Sequence, residues 1–233
     1  MNAMMRILAL LTLALLISCG GRTYQPEATT GNAPRILMMG DSLLAWNRLR
    51  GGSVARALAT RLGEPVTDKS ISGATYATRE TGDAEKSGGI GSQYKPGSWD
   101  WVVMNGGGNN LLFGCGCAGC ADELNRLISA DGRAGVIPQT VARARRGGAQ
   151  VIYTGYLRSP GFTSPVEHCG PIGDQLDQRL ALMAARDSGV HFLRLADLVR
   201  RPGDTTYHFI DGVHPSLKGS AAIADRLAAI IQP

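Results

Sequence analysis

The sequence is short of histidine, of long apolar runs and of concentrated charge, and each shortage narrows what it can encode. Only four histidines, His168, His191, His208 and His214, occur in 233 residues, so chemistry that needs an imidazole has few candidates. No apolar stretch reaches the roughly 20 residues that a membrane-spanning helix needs. The one between Ile7 and Ile17 gives way at once to Ser18 and Cys19. The net charge of +5 is mild. The one basic cluster, Arg143, Arg145 and Arg146, falls on an expected helix and reads as a solvated face, which speaks against a nucleic-acid partner. There is no internal repeat and no sign of a second domain. The G-x-S-x-G motif is missing too, which excludes the hydrolases built on that strand-to-helix elbow.

What is present begins with the N-terminus. Arg6, the apolar run and the small residue at its end describe a signal peptide over residues 1–18. Leu16-Ile17-Ser18-Cys19-Gly20 resembles the lipobox of bacterial lipoproteins. That resemblance implies cleavage before Cys19, lipidation of its sulphur, and membrane anchoring in the bacterial envelope. Because Gly20 rather than an acid follows, it points to the periplasmic face of the outer membrane. Several acyl chains on one cysteine would anchor the protein firmly. Residues 19–34, polar and rich in Gly, Thr, Pro and Ala, read as the lipidated end and a flexible tether. Residues 35–233 suit one domain with one core.

Within that domain, short apolar runs alternate with longer amphipathic stretches. The runs are Ile36–Met39, Trp99–Met104, Val151–Thr154 and His191–Leu195, with a weaker one near Val66. Helical patterns lie near Ser53–Leu62, Ala121–Ser129, Val136–Arg146, Asp174–Asp187 and Leu217–Ile231. Runs without polar alternation suit strands buried on both faces. Strands separated by helices give a parallel sheet with right-handed crossovers. The expected fold is therefore a three-layer α/β/α sandwich. In such sheets ligands bind beyond the carboxyl ends of the strands, so chemistry should sit just after each run.

Three such places carry reactive residue types. After the first run comes Gly40-Asp41-Ser42, a serine on a turn that glycine can make tight. A serine hydroxyl is a weak nucleophile and needs an adjacent base. His191 begins a strand and reads as structural, His208 lies between two aromatics and reads as packing, and His168 sits in a loop. His214 falls in Asp211-Gly212-Val213-His214, where a turn can bring the Asp211 carboxylate to the imidazole. That contact would fix the tautomer and stabilise the imidazolium formed when Ser42 gives up its proton. After the third run comes Asn105-Gly106-Gly107-Gly108-Asn109-Asn110, which offers close backbone approach and the Asn109 amide. After the second strand, Ser70-Ile71-Ser72-Gly73 offers a backbone N–H. With the N–H of Ser42, these could form an oxyanion hole, in which each donor contributes roughly 2.7–4 kcal/mol.

Taken in order, these segments resemble the four blocks of the SGNH (GDSL-like) hydrolase family. Gly40-Asp41-Ser42 matches the first and Gly73 the second. Gly107-Gly108-Asn109-Asn110 matches the third, and Asp211 to His214 the last. The resemblance implies a flavodoxin-like sheet, a Ser42–His214–Asp211 triad and an oxyanion hole from Ser42, Gly73 and Asn109. It implies an ester hydrolase that needs no metal or organic cofactor. One position departs: Asn110 stands where the family usually has aspartate, which puts loop geometry and substrate preference in question.

The remaining cysteines are Cys115, Cys117, Cys120 and Cys169. In an oxidising compartment they should form two disulfides. Pairing Cys115 with Cys117 would close a small strained ring. Cys169 is thus expected to reach Cys115 or Cys117, with Cys120 taking the other. Such a link would join the loop beyond Asn109 to the loop around His168, and shape the pocket. The same cysteines with His168 also offer zinc-ligand types, though disulfides are the reading adopted. Trp46, Tyr76, Arg158 and Phe162 are candidates to line the pocket. The expected partner is an ester: a small-acyl ester, a lysophospholipid or an O-acetylated glycan. Acyl transfer and glycan binding without catalysis are the alternatives.

Overall fold

Five short apolar segments make the sheet. They are β1 (Ile36–Met39), β2 (Val66–Asp68), β3 (Trp101–Met104), β4 (Gln150–Thr154) and β5 (Val190–Leu193). In this computed structural model, which describes residues 35–77, 88–161, 164–200 and 202–232, all pairings are parallel and the order is β2-β1-β3-β4-β5. This is the doubly wound order of flavodoxin-like sheets, with its reversal between β1 and β3. The expected signal peptide, Cys19, the tether and Phe162 lie outside the described residues.

Side chains alternate across a strand, and here both sets are apolar. Leu37, Met39, Val102, Met104, Val151 and Tyr153 enter one core. Ile36, Met38, Val66, Val103, Ile152 and Leu193 enter the other. The helices, in chain order, are α1 (Ser42–Ala45), α2 (Val54–Leu62), α3 (Ile90–Gln93) and α4 (Gly108–Cys115). There follow α5 (Ala121–Leu127), α6 (Val136–Arg146), α7 (Gly170–Ala184) and α8 (Leu217–Ile231). Leu111, Leu124, Ile137, Val141, Leu176 and Leu180 bring α4 to α7 onto the first face. Leu44, Val54, Leu58, Ile223 and Leu227 bring α1, α2 and α8 onto the second. No helix among the described residues is long and apolar enough to cross a membrane.

The differences from the sequence pattern have local causes. Helix α7 starts at Gly170 rather than Asp174, because Pro171 near its start suits a first turn whose N–H groups have no helical partner. Strand β3 starts at Trp101, since Trp99 turns aside to donate its indole N–H to Lys95 O at 2.9 Å. Helix α4 was not expected at all. Its glycines and cysteines are poor helix formers, and it is stopped by Gly116 at φ 60°, whose N–H reaches Leu111 O and Leu112 O.

Candidate active site

The site grows from the exit of β1. Gly40 has φ 152°, and a Cβ there would lie 1.9 Å from Asn105 Oδ1, so only glycine lets the two strand ends approach this closely. Gln93 of α3 grips the same residue: its Oε1 accepts from Gly40 N at 2.7 Å, and its Nε2 donates to Gly40 O at 2.9 Å. Asp41 then caps α1, its Oδ1 accepting from Leu43 N at 3.0 Å. Ser42 is the first residue of α1, where a backbone N–H has no partner within the helix.

Asp41 itself is buried. Its Oδ1 also accepts from Asn105 Nδ2 at 2.7 Å, and its Oδ2 accepts the Tyr156 hydroxyl at 2.5 Å. Burial raises its pKa above the usual 3.8, against the pull of those hydrogen bonds. Burial and the adjacent Asp41 charge likewise push the Tyr156 hydroxyl well above its ordinary value, so it stays a donor. The Tyr156 oxygen accepts in turn from Gly108 N at 2.9 Å, which fixes the start of α4 against the Ser42 turn.

His214 arrives from the other end of the chain on a closed loop. Phe209 N donates to His214 O at 2.7 Å and Ser216 N to Tyr207 O at 2.9 Å, across an antiparallel bridge between His208 and Pro215. Inside this loop Asp211 Oδ1 accepts from Val213 N at 2.9 Å and His214 N at 3.0 Å. Its Oδ2 meets His214 Nδ1 at 2.7 Å, and His214 Nε2 meets Ser42 Oγ at 2.9 Å. Burial pushes the Asp211 carboxyl up, but the hydrogen bonds from the His214 ring and the two amides outweigh it, and the pKa ends below 3.8. An imidazole bridged in this way can take the hydroxyl proton while the carboxylate steadies the charge.

Two residues hold the imidazole further. Trp46 stacks on it, ring centroids 3.7 Å apart and planes within 5°. Asn47, in a left-handed conformation at φ 63°, donates from Nδ2 to Pro215 O and to Ser220 Oγ, each at 3.0 Å. The segment after Ser42 is thereby tied to the residue after His214.

The segments expected to supply donors are linked on the far side. Gly73 turns at φ 75° in the loop after β2. Asn109 Nδ2 donates to the carbonyl of its neighbour, Ala74, at 3.0 Å. The Gly73 turn is therefore beside α4, and Asn109 keeps a second amide hydrogen. Asn110 faces away from the cleft. Its Oδ1 accepts from Tyr76 N at 2.9 Å, and its Nδ2 donates to Tyr76 O at 3.2 Å and Glu123 Oε1 at 3.1 Å. Arg48 anchors the other end of the loop through Asp68 Oδ2 at 2.6 Å and Ser70 O at 2.9 Å.

Ser42, Asn109 and His214 border one cleft of about 150 Å³, walled by Leu111, Leu157, Ile172 and Leu176. Cys117 and Cys169 also line it. They form one disulfide, and Cys115 and Cys120 form the other. The cross-chain link thus uses Cys117, one of the two partners left open for Cys169. Cys117, Cys169 and His168 do lie within 4.8 Å of one another. The two sulphurs are bonded to each other, however, and do not form a thiolate ligand pair. Arg158 lines the cleft as expected. Tyr76 does not: it is fully buried in the core, its hydroxyl 3.1 Å from that of Tyr153. His191 sits in β5 beside Trp101 and the exposed His168 in a turn before α7; His208 is buried.

Asn105, Tyr156, Asp41 and Gln93 support the site without belonging to the expected triad or oxyanion hole. Asn105 and Tyr156 did carry a signal, since each follows closely on a buried strand at the carboxyl edge of the sheet. Gln93 carried none.

Residues 38–222 match the GDSL-like lipase/acylhydrolase family. Among solved structures, a Slackia heliotrinireducens protein provisionally described as an SGNH hydrolase is 25% identical, with TM-score 0.57, over 86% of this chain and 100% of its own. A catalytic mutant of an acetylxylan esterase from Geobacillus stearothermophilus is 18% identical, with TM-score 0.57, over 87% of this chain and 96% of its own. A carbohydrate esterase family 2 enzyme with a carbohydrate-binding domain, from Corynascus thermopiles, is 20% identical, with TM-score 0.57, over 87% and 67%. The last two share the fold at low identity. No curated protein matches the chain.

Proposed function

Because the chain belongs to the GDSL-like lipase/acylhydrolase family and is a carboxylic ester hydrolase, we propose that it works through an acyl-enzyme on Ser42, with short-acyl esters as substrates. The observation that carries this reading is the unbroken line from Ser42 Oγ to His214 Nε2 at 2.9 Å and from Nδ1 to Asp211 Oδ2 at 2.7 Å. Ser42 attacks the ester carbonyl while His214 takes its proton. The oxyanion is met by the N–H groups of Ser42, Gly73 and Asn109. His214 returns the proton to the leaving alcohol, and water then releases the acid by the same steps.

The size of the acyl group follows from the cleft. An apolar space of about 150 Å³ takes a group about as large as benzene. Acyl groups from acetyl to about six carbons fit such a space. O-acetylated glycans are one class within this range, in keeping with the names of two structural neighbours. Anchoring through a lipidated Cys19 would place the enzyme in the bacterial envelope, a reading that rests on the residue pattern before Gly20. Metabolic labelling with a radioactive fatty acid tests it: label should enter the wild type and be lost in Cys19→Ala.

The test of the activity is hydrolysis of p-nitrophenyl butyrate by the wild type and by Ser42→Ala. The variant should lose at least about a thousandfold in kcat, and equal rates would reject the assignment. Added alcohol or sugar acceptors separate hydrolysis from transfer, since a transferase would move the acyl group to the acceptor.

A further inference from the structure

The rim beside His214 carries apolar side chains that the reaction does not use. Leu49 is fully exposed, Ile210 is 95% exposed and Leu217 is about half exposed. They come from three segments that converge at the site. Leu49 is followed by Arg50, whose guanidinium lies 4.8 Å from the centre of the Phe209 ring, next to Ile210. Phe209 packs edge-on against Trp46, the residue that stacks on His214. Leu217 begins α8 three residues after His214 and lies over Gly52. Lys218 extends over the Tyr207 ring at 5.7 Å. Neither Arg50 nor Lys218 meets a carboxylate among the described residues. Each is exposed and lies over an aromatic ring.

Isolated exposed leucines are ordinary on a protein surface, but a cluster rimmed by cations around a site is not. Apolar tips flanked by basic groups suit the boundary between lipid headgroups and acyl chains. The chain's own sequence gives a reason to expect such a boundary nearby. The apolar run Ile7–Ile17 ends at Cys19, and only residues 20–34 separate it from the domain. We propose that this rim, with Leu49, Ile210 and Leu217 as its apolar tips and Arg50 and Lys218 as its cations, docks the domain on an anionic phospholipid surface. The cleft mouth then faces the bilayer boundary, so esters presented there reach Ser42 first. The proposal rests on the esterase reading for its purpose but not for its test.

The test uses the expected mature chain, residues 19–233, with Cys19→Ser throughout, so that neither an attached lipid nor the apolar run Ile7–Ile17 contributes, and compares binding to phosphatidylglycerol/phosphatidylcholine vesicles with binding to phosphatidylcholine alone. Each cation near an anionic surface contributes about fivefold in partitioning. Arg50→Gln/Lys218→Gln should therefore lower binding to the anionic vesicles by about 25-fold and leave binding to the neutral ones unchanged. Leu49→Ser/Ile210→Ser should lower binding to both. Both double variants should hydrolyse soluble p-nitrophenyl butyrate at the wild-type rate, which keeps a failure of docking separate from a failure of the esterase reading. The proposal is overturned if the variants bind vesicles as the wild type does. It is also overturned if sedimentation velocity shows a dimer that Leu49→Ser/Ile210→Ser breaks, since a second copy would then cover the patch. Loss of the soluble-ester rate in both variants would overturn it too, by placing the rim within the active site.

Discussion

Trp46 is a residue whose role the reactive atoms do not reveal. Its ring lies flat on the His214 imidazole and leaves the two nitrogens free for Ser42 and Asp211. It restricts the ring to the plane in which both hydrogen bonds are short, and its face favours the cation formed during the reaction. Trp46→Leu should therefore lower kcat on p-nitrophenyl butyrate by about tenfold, as expected for about 1.4 kcal/mol of lost stabilisation, and change KM little. A change confined to KM would make Trp46 a substrate contact instead. Asp211 acts on the other edge of the same ring. Asp211→Asn keeps the shape but favours the wrong tautomer, and should lower kcat on the order of 10³–10⁴-fold. At this scale the sequence was readable where a residue type is scarce. Four histidines left His214 as the one three residues beyond an aspartate. It was not readable where the residue is common: the tryptophan stack and the Gln93 clamp depend on neighbours far away in the chain.

The elements explain the departure at Asn110. In α4 its amide both accepts from and donates to the backbone of Tyr76, and also donates to Glu123 of α5. An aspartate could accept but not donate, and would set a second carboxylate against Glu123. Restoring the family's usual residue with Asn110→Asp should therefore destabilise the fold by about 1–3 kcal/mol, the cost of leaving buried polar groups unmatched. Chemical denaturation would measure it, and an unchanged midpoint would contradict it. Helix α4 shows why the sequence pattern missed an element. Its local propensity is poor, and what makes it helical is tertiary: Leu111 in the core, the Asn110 clamp, and disulfides at its end. Cys117–Cys169 bridges a sequence separation of 52 and draws α4 to the start of α7. In the chain-entropy view such a closure contributes about 4 kcal/mol. Cys117→Ala/Cys169→Ala should lose up to about that much, and the cleft wall with it.

At the scale of the whole molecule, the layers follow directly from apolar runs separated by amphipathic stretches, and the strand order places every reactive segment at one edge. The acid–base balance was less legible, because burial cannot be read from residue type. Asp177, on the cleft side of α7, has its carboxyl raised from 3.8 to about 6, chiefly by burial and against the pull of Arg194 and Arg158. A carboxyl raised on folding binds its proton more tightly in the native state. Its stabilising contribution is complete below about pH 3.8 and is lost as pH rises through about 6. Between these limits the wild type should lose up to about 3 kcal/mol relative to Asp177→Asn. Urea unfolding of both proteins at pH 4, 5, 6 and 7 would show the gap opening, and parallel curves would contradict it.

The proposed reaction passes through a covalent bond to one oxygen, Ser42 Oγ. The most direct measurement is mass spectrometry of the protein quenched in acid during turnover of p-nitrophenyl butyrate, followed by proteolysis. A butyryl group is expected on the peptide containing Ser42 in the wild type and none in Ser42→Ala. A butyryl group on another residue, or full turnover by Ser42→Ala, would contradict it.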